Sequence, residues 1–199
     1  MPSDCITYQQ SGYFTQLITD YLNQEENLKP LYNHFPSIEN FKLQIEEKQQ
    51  NYFSQNRAIL TEELKKQYKN VTASALTSDN IALLENKNTF TVTTGHQLNL
   101  FTGPLYFLYK IVSTINLCKE LKETYPDFNF VPVYWMATED HDFEEISFFN
   151  FKNKKIKWNR ESAGSVGRLN NSGLEDVLKV LSVELGIGKN ADYLKELFE

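Results

Sequence analysis

Thr89-Phe90-Thr91-Val92-Thr93-Thr94-Gly95-His96 and, further along, Phe130-Val131-Pro132-Val133-Tyr134-Trp135-Met136 decide the fold. The first stretch is β-branched and aromatic through Thr94, which suits a strand, and Gly95 is expected to end it. The second is apolar almost throughout, which predicts a strand buried on both faces, as in a parallel sheet. Between them Leu105, Leu108, Ile111, Val112, Ile115 and Leu121 recur at helical spacing up to about Thr124. Pro104 suits the first turn of that helix, and Pro126 and Asp127 the turn that follows it. Strand, helix and strand in this order form a βαβ unit, so the expected class is α/β with a parallel-sheet core.

Upstream, residues 1–88 read as a helical, Gln- and Asn-rich layer packed on that core. Tyr13, Leu17, Ile18, Tyr21 and Leu22 lie at helical spacing. A longer pattern runs from Ile38 to Tyr68, with Ser37 as its N-cap and a break near 50–54. A short helix over 79–84 is expected behind a Ser78 cap. Pro30 and Pro36 bracket a surface loop holding His34. The core unit proper covers 89–145. Residues 146–199 read as the start of a connecting or inserted segment. It holds a hairpin of 146–151 and 155–158 around Lys152-Asn153-Lys154, then a short strand over 165–169. A helix capped by Asn171 or Ser172 follows and runs to Leu185, ended by Gly186 and Gly188. A last helix starts near Ala191. Its pattern reaches Glu199 without a Gly, Asn or Pro stop, which predicts either a terminal helix that frays or a piece of a longer protein.

The sequence has 199 residues, 41% hydrophobic and 23% charged, with 26 Asp and Glu against 20 Lys and Arg and a net charge of -6. Such a composition supports a packed core. The acidic balance argues against nucleic acid as the main partner, because phosphate contacts want a basic face. No apolar run reaches the ~18 residues of a membrane span. The N-terminus lacks the basic-then-apolar pattern of a secretory signal. Two cysteines, Cys5 and Cys118, form no disulfide framework and fit a reducing, cytoplasmic setting. Cys118 is expected in the core of the crossover helix, as are Phe107 and Trp135 nearby.

Chemistry is expected where two loops leave the C-terminal ends of the paired strands, the edge at which open α/β sheets bind ligands. The first loop carries Thr93, Gly95, His96, Gln97, Asn99 and Gly103, and leads to Tyr106 and Lys110. Its glycines would let backbone approach a ligand, and the helix N-terminus favours an anion. Tyr106 and Lys110 are four apart, hence on one helix face, where Lys110 would reach an anionic substrate. The spacing Thr93-x-Gly95-His96 is similar to the His-x-Gly-His signature of nucleotidyltransferase-like Rossmann folds, with Thr in the first place. These eight residues are the candidates for holding a substrate or nucleotide.

The second loop is Glu139-Asp140-His141-Asp142-Phe143-Glu144-Glu145, in which five of seven residues are acidic. Closely spaced carboxylates around an imidazole can bind an amine, hold a cation or exchange protons. Glu139, Asp140, His141 and Asp142 are the candidate catalytic residues. Two other readings stay open: a metal-assisted hydrolase using His96, His141 and Asp142, and a binding module without catalysis.

Taken together, the run from Thr93 to Tyr106, then Pro132-Val133-Tyr134-Trp135 and Thr138–Glu145, resembles the bacillithiol biosynthesis cysteine-adding enzymes. The resemblance implies a Rossmann-like core related to nucleotidyltransferases, with inserted segments. It also implies a C-terminal coiled coil, outside this chain, that forms a homodimer. It implies a ligase joining cysteine to the amino group of glucosaminyl-malate through an amide bond, with ATP or another nucleotide expected to activate the carboxylate; it points to no particular metal. Family members commonly carry Gln where this chain has His96, and Thr93 replaces the first signature histidine. Weight therefore shifts to Gly95, Gln97 and Glu139–Asp142.

Overall fold

The computed structural model describes residues 4–199. The chain forms two compact units, Met1–Lys69 and Asn70–Glu199.

The first unit is helical among its described residues: α1 (Tyr8–Ser11), α2 (Gln16–Leu22), a 3₁₀ turn over Glu26–Leu31, α3 (Phe41–Asn51) and α4 (Ser54–Tyr68). Thr7 and Gln10 close a capping box on α1, and Gly12, at φ 68°, ends that helix in the left-handed conformation. The long pattern divides into two helices because Tyr52 and Phe53 adopt extended backbone. The Ser37 hydroxyl does accept the Asn40 N–H, at 3.4 Å, but it closes only a turn, and α3 begins at Phe41. The 33–34 loop is tied to α3: Asn33 donates to Glu47 at 2.7 Å, and His34 Nε2 lies 2.7 Å from the same carboxylate. These two contacts, Asn33 first, hold the Glu47 carboxyl below its ordinary range.

The second unit opens with α5 (Ala75–Leu83). Its cap is Ser74, one turn before the expected Ser78. Ser74 has the extended backbone of a cap and its hydroxyl accepts the Thr77 N–H at 3.2 Å, whereas Ser78 lies inside the helix. Strands β1 (Thr89–His96) and β2 (Asn129–Met136) then pair in parallel, from Thr89 opposite Asn129 to His96 opposite Met136, joined by helix α6 (Leu105–Thr124). β1 runs through Gly95 instead of stopping there. Helix α6 buries Thr114, Cys118 and Leu121, and burial pushes the Cys118 thiol up to about 11.

β2 is less buried than its apolar sequence predicts: Val131 is buried, but Trp135 is 61% and Met136 51% exposed. α6 lies against the sheet, and β2 pairs with β1 alone among the described residues. The end of the strand stands clear, so Trp135 is not a core residue here. Phe107 is half-buried, edge-on to Tyr134.

Beyond the sheet come the single turn α7 (Phe143–Ile146) and the antiparallel hairpin β3 (Phe148–Phe151) and β4 (Lys154–Lys157). Lys152 and Asn153 both have positive φ, 48° and 62°, as a two-residue hairpin turn of type I′ requires. The strand expected over 165–169 is instead a 3₁₀ turn, Val166–Arg168, whose N–H groups serve the 138–140 loop. α8 (Leu174–Leu185) starts behind Gly173 in the left-handed region, not behind Asn171 or Ser172. The Ser172 carbonyl is taken by the Trp158 indole at 2.9 Å. α9 (Lys189–Phe198) begins two residues before Ala191. Phe149, Ile156, Trp158, Val177 and Leu181 form one buried cluster between hairpin and α8. Among the described residues, no helix is long and apolar enough to cross a membrane.

Leu121 is fully buried. Leu121→Ala is expected to cost about 2–5 kcal/mol through lost transfer energy and the cavity left behind. Urea unfolding of parent and variant measures it, and a loss under about 1 kcal/mol would contradict this packing.

Candidate functional site

The parallel register brings both post-strand loops to one edge. Gly95 and His96 stand opposite Trp135 and Met136, and the ladder continues as Ala137 donates to the His96 carbonyl at 3.1 Å. The two loops are then joined by side chains: Gln97 Nε2 donates to Asp140 Oδ2 at 2.6 Å, across 43 residues of sequence. Asp140 Oδ1 accepts the Asp142 N–H at 2.9 Å. The Gln97 amide first, then that backbone N–H, hold the Asp140 carboxyl below the ordinary aspartate range. Both hydrogen bonds favour the anion. Asp140 is therefore an ionised acceptor near neutral pH and a poor proton donor, despite its acidic neighbours.

The first loop is ordered around His96. The Asn99 amide lies 3.1 Å from Nδ1 and donates to the Gln97 carbonyl at 2.9 Å. Nδ1 also lies 3.2 Å from the Gln97 carbonyl, and Nε2 lies 2.9 Å from the Tyr106 hydroxyl. The Tyr134 hydroxyl donates to the His96 carbonyl at 3.1 Å and reaches the Gln97 carbonyl at 3.4 Å. Burial raises the Tyr134 pKa. Lys110, one turn along α6 from Tyr106, donates to the Gly95 carbonyl and is half-buried. Both imidazole nitrogens are thus engaged in holding the loop and orienting Tyr106, itself half exposed. Thr93 lies exposed on the strand, opposite Val133.

The loop glycines have internal reasons. A Cβ at Gly95 would lie 3.1 Å from the Cβ and carbonyl oxygen of Trp135. At Gly103, with φ 52°, it would meet the Asn99 side chain at 2.6 Å. Phe101 and Thr102 also have positive φ, 45° and 70°, without being glycine. That backbone costs roughly 1–3 kcal/mol per residue. Phe101 is held by edge-on contacts with Phe149 and Phe198, at centroid distances of 5.5 and 5.0 Å. Helix α6 then starts at Leu105 behind Pro104, an extended N-cap that offers no side-chain hydrogen bond to the first N–H groups. Such a helix end suits an anion.

In the second loop the acidic residues separate into different tasks. Asp142 Oδ1 accepts the Glu145 N–H at 3.4 Å and caps α7, and Glu144 and Glu145 sit in its first turn, where the helix dipole favours them. Glu139 and His141 are exposed, and Asp140 is half-buried. Among the described residues no three His, Cys, Asp or Glu side chains are placed to hold a metal ion, so His96, His141 and Asp142 do not form the ion site that the hydrolase reading needs. Sequence reasoning missed Tyr134 and the Asp142 cap. The cap had a signal, the Asp-x-x-Glu spacing of a helix start. Tyr134 stood hidden in an apolar strand.

A parallel βαβ unit whose post-strand loops meet at the C-terminal edge defines a Rossmann-like α/β domain. The family model described as "Bacillithiol biosynthesis BshC, N-terminal Rossmann-like domain" matches residues 1–199. A Flavobacterium psychrophilum protein named "Putative cysteine ligase BshC" is 65% identical over all of this chain, which covers 38% of that protein. A relative of the same name from Flavobacterium johnsoniae is 64% identical with the same coverage, and one from Bacillus cereus is 35% identical over 71% of this chain and 26% of its own length. The chain belongs to the BshC family of bacillithiol biosynthesis, and spans little more than a third of the length of these first two relatives.

The Gln97–Asp140 contact makes a measurable prediction. Asp140 titrates below the ordinary aspartate value of 3.8, so its contribution to stability is full above pH 3.8 and is lost as pH falls through the lower, folded-state value. Gln97→Ala removes the largest cause and should move the Asp140 midpoint upward, read from carboxyl carbon shifts. An unmoved midpoint would show that the amide does not hold the anion.

Proposed function

We propose that this chain is the Rossmann-like part of a cysteine ligase, which joins the carboxyl group of L-cysteine to the amino group of glucosaminyl-malate. The observation that carries the reading is the Gln97–Asp140 hydrogen bond, which makes one site of two loops in a chain whose relatives bear the cysteine-ligase name. In amide formation the amine nitrogen bonds to the cysteine carboxyl carbon, a carboxyl oxygen leaves, and the nitrogen gives up its extra protons. ATP or another nucleotide would supply the activation that makes that oxygen a leaving group.

The residues divide this work by their environments. Asp140, kept ionised, attracts the substrate ammonium and steadies positive charge on a neighbouring imidazole. The exposed His141 accepts the proton, since imidazoles exchange protons near neutral pH. Glu139 adds negative charge beside them, and Asp142 holds the turn that presents them. On the other loop the N-terminus of α6, with Tyr106 and Lys110, suits an anionic group, either nucleotide phosphate or the malate carboxylates. Gly95, His96, Gln97, Asn99 and Gly103 shape that loop. Thr93 borders it from the strand. The homodimer implied by the resemblance would use the length that the relatives have beyond this chain.

The test uses the full-length protein, with bacillithiol formation from glucosaminyl-malate and cysteine as the readout. His141→Gln is expected to lower turnover by about 10²–10⁴, the usual reach of general base catalysis. Asp140→Asn should lower it as well and raise KM for the amine substrate. Undiminished activity in both variants would overturn the assignment.

A further inference from the structure

Residues 165–168 lie outside both loops, yet they are bound to the second one. The Val166 N–H donates to the Asp140 carbonyl at 2.7 Å and the Gly167 N–H to the Thr138 carbonyl at 2.9 Å. The segment is closed on itself by Arg168 to Ser165 and Leu169 to Val166, at 3.0 and 3.2 Å. Val166 is buried, and Leu169 packs against the cluster of Phe149, Ile156, Trp158, Val177 and Leu181. The 3₁₀ turn therefore ties the backbone of the second loop to the apolar core behind it.

Gly167 is the point of closest approach. A Cβ there would overlap the Thr138 Cβ outright and lie 2.9 Å from the Thr138 carbonyl oxygen and 3.1 Å from its Cα. The φ of Gly167 is not positive, so alanine is excluded by this neighbour and not by its own backbone. The nearest of these atoms is a Cβ and the other two are backbone, and none of them can turn aside as a side-chain tip would. The strand end fixes Met136 and the 3₁₀ turn fixes Thr138 and Asp140, so displacement at Thr138 falls on Asp140 and its 2.6 Å contact with Gln97.

We propose that Gly167 is a positioning residue for the site: its missing side chain lets the 165–168 turn hold the 138–140 backbone where Asp140 meets Gln97. The proposal deepens the ligase reading and, for its activity arm, rests on it. Gly167→Ala in the full-length protein is expected to raise amide hydrogen exchange across 137–145 and to lower kcat/KM about tenfold or more. Thr138→Gly, which removes the overlapping Cβ, should restore part of the loss when combined with it. In an Asp140→Asn background Gly167→Ala should have little further effect, because the residue acts through Asp140. Unchanged exchange over 137–145, or an equal loss of activity in both backgrounds, would overturn the proposal. If the parent protein makes no amide product, the ligase reading fails by itself, and the exchange measurement alone decides on Gly167.

Discussion

Both loops of the site are pinned to one patch of buried apolar surface. Phe149, Ile156, Trp158, Val177 and Leu181 make that patch between the hairpin and α8. Phe101 of the first loop lies edge-on to Phe149, and Phe143 of the second lies edge-on to Trp158 at 5.3 Å. Leu169 brings the 3₁₀ turn to the same cluster. A two-stranded parallel ladder sets where the loops begin but not where they go. Their polar contacts at the edge are worth about 0.5–1.5 kcal/mol each in net terms, too little to hold long loops alone. The partly buried Phe101 and Phe143 add apolar contact to these bonds, up to the roughly 1.5–3 kcal/mol that full burial of such a side chain would contribute. The segment after the βαβ unit is therefore part of the architecture of the site.

The same cluster explains how a strained turn persists. Phe101 and Thr102 occupy left-handed backbone, at roughly 1–3 kcal/mol apiece. The two edge-on contacts of Phe101 add about 0.5–1.5 kcal/mol each beyond burial, the same order as the strain. The turn reverses the chain within a few residues, so that Gly103 and Pro104 can start α6 at the strand edge. That places Tyr106 within reach of His96 and Lys110 beneath the Gly95 carbonyl.

The βαβ unit was legible because it is a matter of periodicity. The helical spacing of Leu105–Leu121 and the apolar run 130–136 each admit one reading, and the location of the loops follows from topology. Boundaries were less legible where two residues compete for one task. Ser74 and Ser78 both suit a cap, and only the chain's path decides between them. Gly173 stands at the cap in place of Asn171 and Ser172, and the Ser172 carbonyl accepts the distant Trp158 indole. The segment 165–169 reads as a strand, but the Val166 and Gly167 N–H groups go to a loop and not to a ladder. Apolar character also misled at Trp135, where the end of β2 stands exposed at the edge. In each case the deciding partner was distant in sequence, which local pattern cannot report.

The acidic loop shows why counting charges is a poor guide to chemistry. Five carboxylates in seven residues suggest mutual repulsion and raised pKa values. In the folded chain they are spent separately. Asp142, Glu144 and Glu145 organise one helical turn, and Asp140 is the residue that the first loop reaches. A hydrogen-bonded, ionised Asp140 is unsuited to giving or taking a proton at neutral pH. Capping the turn and meeting the first loop thus fall to different side chains on one short loop. The Gln97 amide sets that division, because it is the first cause holding Asp140 in its charged form.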